Sequence, residues 1–164
     1  MNLGKNFPSS QAADPGEPSA RLNNQLLERA LRLLARREHS RFELSRKLAR
    51  HARSRDELNA VLAELESRHY LSEERFAESL VRKHAEKYGD AFIRHSLRQH
   101  QLPEALIADA SASLKQTEEA RARALWERRF SGVSTDPGER LRQMRFLADR
   151  GFPHDLIRRI VRDD

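Results

Sequence analysis

The feature that most constrains the fold of this chain is an internal repeat in its second half. Six residues between positions 97 and 110 recur in the same order, as the same or a similar type, fifty positions later. They are Leu97, Leu102, Pro103, Leu106, Ile107 and Ala110, which match Leu147, Phe152, Pro153, Leu156, Ile157 and Ile160. Their apolar members follow helical spacing, and a fixed period of this length is typical of stacked repeats. Stacked helical units form long surfaces, and such surfaces bind long partners.

Helix-period apolar runs also fill the first half of the chain, and the alternation typical of β-strands is absent. We therefore predict an all-α fold of three tandem three-helix repeats that form an elongated, curved array. The N-terminal segment is rich in glycine and proline and poor in large apolar residues, which predicts disorder. The predicted units are a disordered tail at 1–20, repeat 1 at 21–70, repeat 2 at 71–114 and repeat 3 at 115–164.

Local signals mark where the predicted helices begin and end. The first helix should begin near Asn23. Four residues have the type and context of helix N-caps, because each has glutamate within the next three positions. They are Ser40, Ser54, Ser72 and Thr117. Gly89 and Gly151 stand where glycine usually ends a helix, and Pro103 stands where proline begins one.

The charge of the chain indicates an anionic partner. The net charge is +6, the isoelectric point is about 10.3, and 26 of the 31 basic residues are arginine. Arginine binds carboxylates and phosphates with two parallel hydrogen bonds and is always charged. Any single arginine can equally belong to a solvated helix face, but the excess favours nucleic acid or an acidic protein surface.

The sequence contains no constellation that predicts catalysis, a metal site or a cofactor. There is no cysteine, no glycine-rich phosphate loop and no nucleophile elbow, and the seven histidines show no i, i+4 pair. No apolar run approaches the roughly 18 residues of a membrane span, and no signal peptide is evident. We expect a cytoplasmic protein that is not an enzyme and makes no membrane contact. Trp126 and Phe130 could stack on bases, but their shared helical stripe favours core packing.

Outward-facing basic residues are the candidate binding residues. Arg46, Lys47 and Arg50 lie opposite Leu44 and Leu48 on one predicted helix, so they should point away from the core together. An ion pair between Lys47 and Glu43 at i, i+4 is the structural alternative. The full candidate set is Arg46, Lys47, Arg50, Arg53, Arg82, Lys83, Arg94, Arg98, Arg158 and Arg162.

Three segments together carry a more specific signal. They are Ala30 to Leu48 with its Ser-Arg-x-Glu-Leu core, Tyr70 to Ala77 continuing to Tyr88-Gly89, and Arg142 to Phe152. In this order and spacing they resemble the RecX family, bacterial regulators of the RecA recombinase, and the resemblance covers about 26–161. The family often has glycine where this chain has His69, and a Lys-Gly pair where it has His100-Gln101.

The resemblance implies a modulator that binds within the groove of the RecA–single-stranded DNA filament. Such a protein inhibits the recombinase, ATPase and coprotease activities of RecA and has some affinity for single-stranded DNA of its own. The sequence leaves the oligomeric state open. A second reading is a basic regulator that binds duplex DNA directly, since three-helix units can be helix-turn-helix modules. The predicted helix after Ser54 would then have to read bases, although it begins with Arg55-Asp56-Glu57.

Overall fold

The computed structural model describes residues 18–162, and within that range it contains eight α-helices, one 3-10 turn at Ala49–His51 and no strand. The helices are α1 Pro18–Leu34, α2 Arg41–Leu48, α3 Arg55–Ser67, α4 Glu73–His84, α5 Asp90–Gln99, α6 Glu104–Glu127, α7 Pro137–Ala148 and α8 His154–Arg162. None of the described helices combines the length and apolarity that crossing a membrane requires. The predicted all-α fold class is confirmed.

The buried apolar residues form three separate cores, which follow one another along the chain. The first lies among α1, α2 and α3, the second among α4, α5 and the first half of α6, and the third among the end of α6, α7 and α8. The residues at their centres are Ala30, Leu44, Leu48 and Leu65 in the first, Ala77, Ile93, Leu97 and Ile107 in the second, and Leu147, Ile157 and Ile160 in the third. Three tandem three-helix units are thus present.

A single helix joins the second unit to the third. Helix α6 runs unbroken for 24 residues, so the predicted repeat boundary between residues 114 and 115 lies inside it. The prediction that Thr117 caps a new helix is wrong. Its hydroxyl instead donates to the carbonyl oxygen of Leu114 at 3.3 Å, the backward bond that threonine makes inside a helix.

The fifty-residue correspondence extends to the backbone. Leu97 and Leu147 are both completely buried, and in each case the chain leaves the helix through a left-handed residue. Gln101 has φ of 59° and Gly151, fifty positions later, has φ of 79°. His69 also has φ of 59° after α3. The two positions where the resembled family often has glycine therefore keep the left-handed turn, although they carry side chains here.

Three of the predicted N-caps are confirmed. The hydroxyls of Ser40 and Ser54 accept the backbone amides three residues on, each at 3.1 Å, and Ser72 does the same at 3.2 Å. At Ser54 the second hydrogen bond of the capping box does not form, because the Glu57 carboxylate accepts from the backbone amide of Arg53 at 2.7 Å and not from that of Ser54. Helix α1 begins at Pro18, five residues before the predicted start. Residues 18–20 of the predicted tail are therefore helical, and 1–17 lie outside the described residues.

Repeat 1 contacts repeat 2 through a small polar joint. Arg75 Nε of α4 donates to Glu38 Oε1 at 2.8 Å. The Ser40 hydroxyl lies 3.2 Å from His100 Nδ1, at the end of α5. The His100 ring also packs edge-on against Phe76, with ring centroids 4.7 Å apart. This joint brings the end of α5 beside α2.

Candidate anion-binding groove

A concave groove of about 930 Å³ lies between α1 and α2, and Gln99 and His100 at the end of α5 border it. It is lined by Arg29, Leu33, Phe42, Glu43, Arg46, Lys47, Arg50, His51, Gln99 and His100. Three of the ten predicted binding residues, Arg46, Lys47 and Arg50, are therefore brought together on one wall. The cap on Ser40 sets this wall, because it fixes where α2 begins and hence which residues face away from Leu44 and Leu48.

Three exposed arginines give the groove uncompensated positive charge. Arg46 lies on α2, Arg50 lies one turn further along in the 3-10 turn Ala49–His51, and Arg29 faces them from α1. No carboxylate among the described residues lies within 4.0 Å of any of the three. Guanidinium groups left unpaired in a concavity attract phosphate or carboxylate from a partner.

Among the described residues that line the groove, Glu43 is the only acid, and it is already neutralised from within the protein. Glu43 pairs with Arg37 through both carboxylate oxygens and with Lys47 Nζ at 3.1 Å. Burial raises the pKa of Glu43, but the hydrogen bonds from Arg37 and Lys47 outweigh it and lower the pKa to about 2. Glu43 thus stays ionised and occupied. The i, i+4 pairing that was the structural alternative for Lys47 is formed, so Lys47 is not a free cation.

A buried histidine holds Lys47 in place on its other side. His39 is almost completely buried, its Nδ1 lies 2.9 Å from the carbonyl oxygen of Arg37, and its Nε2 lies 3.2 Å from Lys47 Nζ. Burial lowers the pKa of His39 despite the carbonyl contact, and so favours the neutral ring. In the neutral ring Nδ1 donates to the carbonyl and Nε2 accepts from Lys47.

The floor of the groove combines apolar and aromatic surface with planar polar groups. Phe42 and Leu33 line it, and the guanidinium carbon of Arg46 stands 5.6 Å from the Phe42 ring centroid. Arg50 Nε donates to His51 Nε2 at 3.1 Å. Burial, with the charges of Arg29 and Arg50, lowers the pKa of His51, which favours the neutral acceptor form.

The other predicted binding residues are not gathered in this groove. Three are engaged within the chain: Arg53 lies 3.6 Å from Glu57, Arg94 donates to the Ser111 hydroxyl at 3.1 Å, and Arg98 pairs with Glu104 at 2.6 Å. The remaining four are exposed, with no carboxylate of the described residues within 4.0 Å. They are Arg82, Lys83, Arg158 and Arg162.

Sequence reasoning missed two arginines that shape the groove. Arg29 belongs to the groove because it lies four residues before Leu33, on the same face of α1, and that spacing was a usable signal. Arg37 follows the end of α1, and its pairing with Glu43 depends on how the loop folds back. No local pattern indicates that contact.

The structure also bears on base stacking by Trp126 and on duplex reading by α3. Trp126 is 7% exposed and belongs to the third core, so the core interpretation of this residue is confirmed. The helix that duplex reading would need, α3, carries Asp56 and Glu57 in its first turn. Acidic groups at that end repel phosphates. Within residues 18–162 no three histidine or acidic side chains cluster as a metal site would require.

Comparisons with known proteins agree along the whole array. Family models for the first, second and third three-helix domains of RecX match residues 27–65, 72–110 and 117–161. The chain is 45% identical over 144 residues to Regulatory protein RecX of Ralstonia pickettii (strain 12J), covering 88% of this chain and 91% of that protein. It is 48% identical over 134 residues to Regulatory protein RecX of Leptothrix cholodnii, covering 82% and 85%.

Solved structures share the fold. The crystal structure of RecX from Lactobacillus salivarius aligns with a TM-score of 0.75 at 20% identity, covering 88% of this chain and 97% of that one. A second crystal structure, of a regulatory protein RecX, aligns with a TM-score of 0.74, also at 20% identity, covering 89% and 74%.

Proposed function

The chain belongs to the RecX family of regulatory proteins, and from that premise we propose that it inhibits RecA by binding the RecA–single-stranded DNA filament. In this proposal it lowers the recombinase, ATPase and coprotease activities of RecA in the cytoplasm, and it does so as a binding protein without catalysis. Its affinity for the filament exceeds its affinity for bare single-stranded DNA. The membership of all three domains in one regulatory family is the observation that carries the proposal.

The distribution of charge supports binding along a filament. Each repeat presents exposed cations that are free of ion pairs within the described residues: Arg46 and Arg50 in the first, Arg82 and Lys83 in the second, and Arg158 and Arg162 in the third. An exposed charge contributes little by itself, about 0–1 kcal/mol. Several weak contacts on one chain add up, because after the first contact the others become intramolecular.

The direct test follows ATP hydrolysis by RecA on single-stranded DNA while the full chain is added. We expect ATP hydrolysis to fall as the chain is added, and to do so at well below one chain per RecA subunit. An elongated array bound in the groove of the filament would span more than one RecA subunit. Hydrolysis unchanged at a severalfold excess of the chain would refute the proposed inhibition. Strand exchange and RecA-dependent cleavage of a repressor substrate measure the other two activities in parallel.

Gel shifts separate this proposal from a regulator of duplex DNA. The chain is offered duplex, bare single strand and RecA-coated single strand at equal nucleotide concentration. The proposal requires the coated strand to bind most tightly. Tightest binding to the duplex would instead favour the direct DNA-binding regulator and make α3 the helix to test first.

A further inference from the structure

We propose that the groove between α1 and α2 is a nucleotide-binding site that takes one stretch of single-stranded DNA directly, with a phosphate on its arginines and a base on Phe42. The inference deepens the proposed function by assigning this groove to the strand and not to RecA's protein surface. It rests on the proposed function only for the identity of the strand. Direct binding is measured without RecA, so the two proposals can fail separately.

The charges of the groove fit a phosphodiester. Arg46 and Arg50 are exposed one turn apart on one wall, Arg29 faces them from the other, and none has a carboxylate within reach among the described residues. Glu43, the one acid among the described residues that line the groove, is held by Arg37 and Lys47 and leaves the arginines unopposed. Guanidinium groups bind phosphate oxygens through paired N–H donors.

The floor of the groove fits a base. Phe42 offers an aromatic face, Leu33 extends it as apolar surface, and the Arg46 guanidinium already lies over the ring. Aromatic rings and guanidinium planes are the surfaces on which unpaired bases stack. Gln99 adds an amide at the border of the groove: its nitrogen lies 3.0 Å from His95 Nε2, which leaves its oxygen to accept from a base edge.

The shape of the groove favours a single strand over the other anionic partners. A concavity of about 930 Å³ is of the size that holds small molecules or a few nucleotides, and it is too small to enclose a duplex. An acidic peptide would use the arginines but would have no need of a flat aromatic floor with an amide at its end. Peptide binding is therefore the competing outcome of the test.

The test measures the fluorescence anisotropy of a fluorescein-labelled dT20 strand titrated with the full chain at several salt concentrations. The double variant Arg46→Ala/Arg50→Ala should weaken binding by about tenfold or more. It should also lower the slope of log affinity against log salt by about 1.4, because each lost phosphate contact contributes about 0.7. The matched control Arg128→Ala/Arg129→Ala removes the same charge from two exposed residues directly after α6, which are outside the candidate binding set, and should change affinity by less than about threefold.

A second variant isolates the base. Phe42→Leu keeps an apolar side chain on the floor and removes the aromatic face, so affinity for dT20 should fall by about fivefold or more while the salt slope stays constant. An abasic strand of the same length should bind the native chain and Phe42→Leu equally. Far-ultraviolet circular dichroism and a denaturation curve establish that each variant is folded before its affinity is compared.

Three results would overturn the inference. One is equal weakening by the Arg46/Arg50 variant and by the Arg128/Arg129 control. Another is abasic strand bound by the native chain as tightly as dT20. The third is a poly-glutamate peptide of equal charge that displaces dT20 at the same concentration as unlabelled strand, which would assign the groove to an acidic protein segment. Loss of dT20 binding with full inhibition of RecA would uphold the groove and show that inhibition uses another surface. Conversely, dT20 binding without any effect on RecA would refute the proposed function alone.

Discussion

The backbone amide of Gly89 donates a hydrogen bond to the carbonyl oxygen of Arg150, 2.8 Å away, and so links the second repeat to the third. Gly89 was predicted to end α4, but that helix ends at His84, and Gly89 instead precedes α5 with an ordinary φ of −77°. Glycine is required here by contact, because a Cβ would stand 2.3 Å from the carbonyl oxygen of Gly151. Gly151 is just as close to α5: a Cβ on it would meet the backbone nitrogen of Phe92 at 2.7 Å.

Replacing Gly89 by alanine should therefore disturb the seam between repeats 2 and 3. We expect Gly89→Ala to lower the free energy of unfolding by about 2 kcal/mol, since the backbones must move apart to admit a methyl group. Trp126 is the only tryptophan and lies in the third core, so its fluorescence reports the loss in a denaturation curve.

Gly132→Ala is the matched control for that experiment. A Cβ at Gly132 meets nothing within 4 Å, so the free energy of unfolding of Gly132→Ala should stay within about 0.5 kcal/mol of the native value. If Gly89→Ala and Gly132→Ala destabilise the protein equally, the close contact between repeats 2 and 3 is not the cause of the loss.

Replacing the left-handed residues His69 and Gln101 by glycine should stabilise the protein. Both have φ of 59° and both side chains are exposed, so each carries the strain of an L-residue in a glycine conformation without a buried contact in return. We expect His69→Gly and Gln101→Gly each to raise the free energy of unfolding by about 0.5–1 kcal/mol, measured as a higher melting temperature.

The same change inside a helix should have the opposite sign. Ala60 is exposed in α3, and Ala60→Gly should cost about 1 kcal/mol through lost helix propensity. A melting temperature lowered by glycine at residues 69 and 101 as well would show that their side chains stabilise the turns.

Trp126 should be the largest single anchor of the third core. The side chain is 7% exposed, its ring packs with Phe130 at 6.2 Å between centroids, and its indole nitrogen is buried without a hydrogen-bond partner among residues 18–162. Trp126→Ala should cost about 3–5 kcal/mol, measured by circular dichroism during thermal denaturation.

Trp126→Phe separates volume from the unpaired indole. It keeps an aromatic ring and removes the unsatisfied N–H group, so the loss of packing is partly offset and we expect a cost below about 2 kcal/mol. If Trp126→Ala is instead as stable as the native chain, the Trp126 side chain is exposed and available for base stacking.

The ionised state of Glu43 should make stability depend on acid pH. Its pKa in the folded protein is about 2, below the ordinary value of 4.5, so folding favours the ionised form. The contribution is therefore complete above pH 4.5 and is lost as the pH falls from 4.5 towards 2. We expect Glu43→Gln to be less stable than the native chain at pH 6 and to approach it at pH 2, as measured by urea denaturation across that range.

The control for this pH profile is an acid with no such contacts. Glu127 is exposed at the end of α6 and forms no ion pair within the described residues. The difference in free energy of unfolding between Glu127→Gln and the native chain should stay constant between pH 6 and pH 2. A constant difference for Glu43→Gln over the same range would show that Arg37 and Lys47 do not set its ionisation.

Much of the fold follows from short-range signals. The helices are visible in the sequence because apolar spacing selects one face for the core, as at Leu44 and Leu48, and because serine oxygens cap free amides within three residues. The same spacing predicts which arginines on α2 point outward. Errors arise where a local signal has two meanings: threonine before two glutamates predicts a cap, but at Thr117 the helix continues because both halves of α6 bury apolar faces in separate cores.

The candidate site was predictable only in part. Arg46, Lys47 and Arg50 share a face by helical geometry, so their proximity follows from the sequence. Which of them is free does not follow, because Lys47 is held by Glu43 and by His39. Gln99 and His100 border the groove because of the joint between repeats 1 and 2, in which Ser40 contacts His100, 60 residues further along the chain.

Arginine shows most clearly where sequence ends and tertiary structure begins. By itself the sequence determined that the chain is helical, repeated and rich in arginine, because periodicity, capping and composition are local properties. Only the tertiary structure decided what each arginine does. Arg121 is half-buried in α6 and donates to the carbonyl oxygens of Ala85 and Tyr88 at 2.6 and 2.8 Å, which secures the turn after α4. Arg46 faces an open groove. Both lie on amphipathic helices, and the difference arises because packing of distant segments sets whether a guanidinium meets a carbonyl, a carboxylate or solvent.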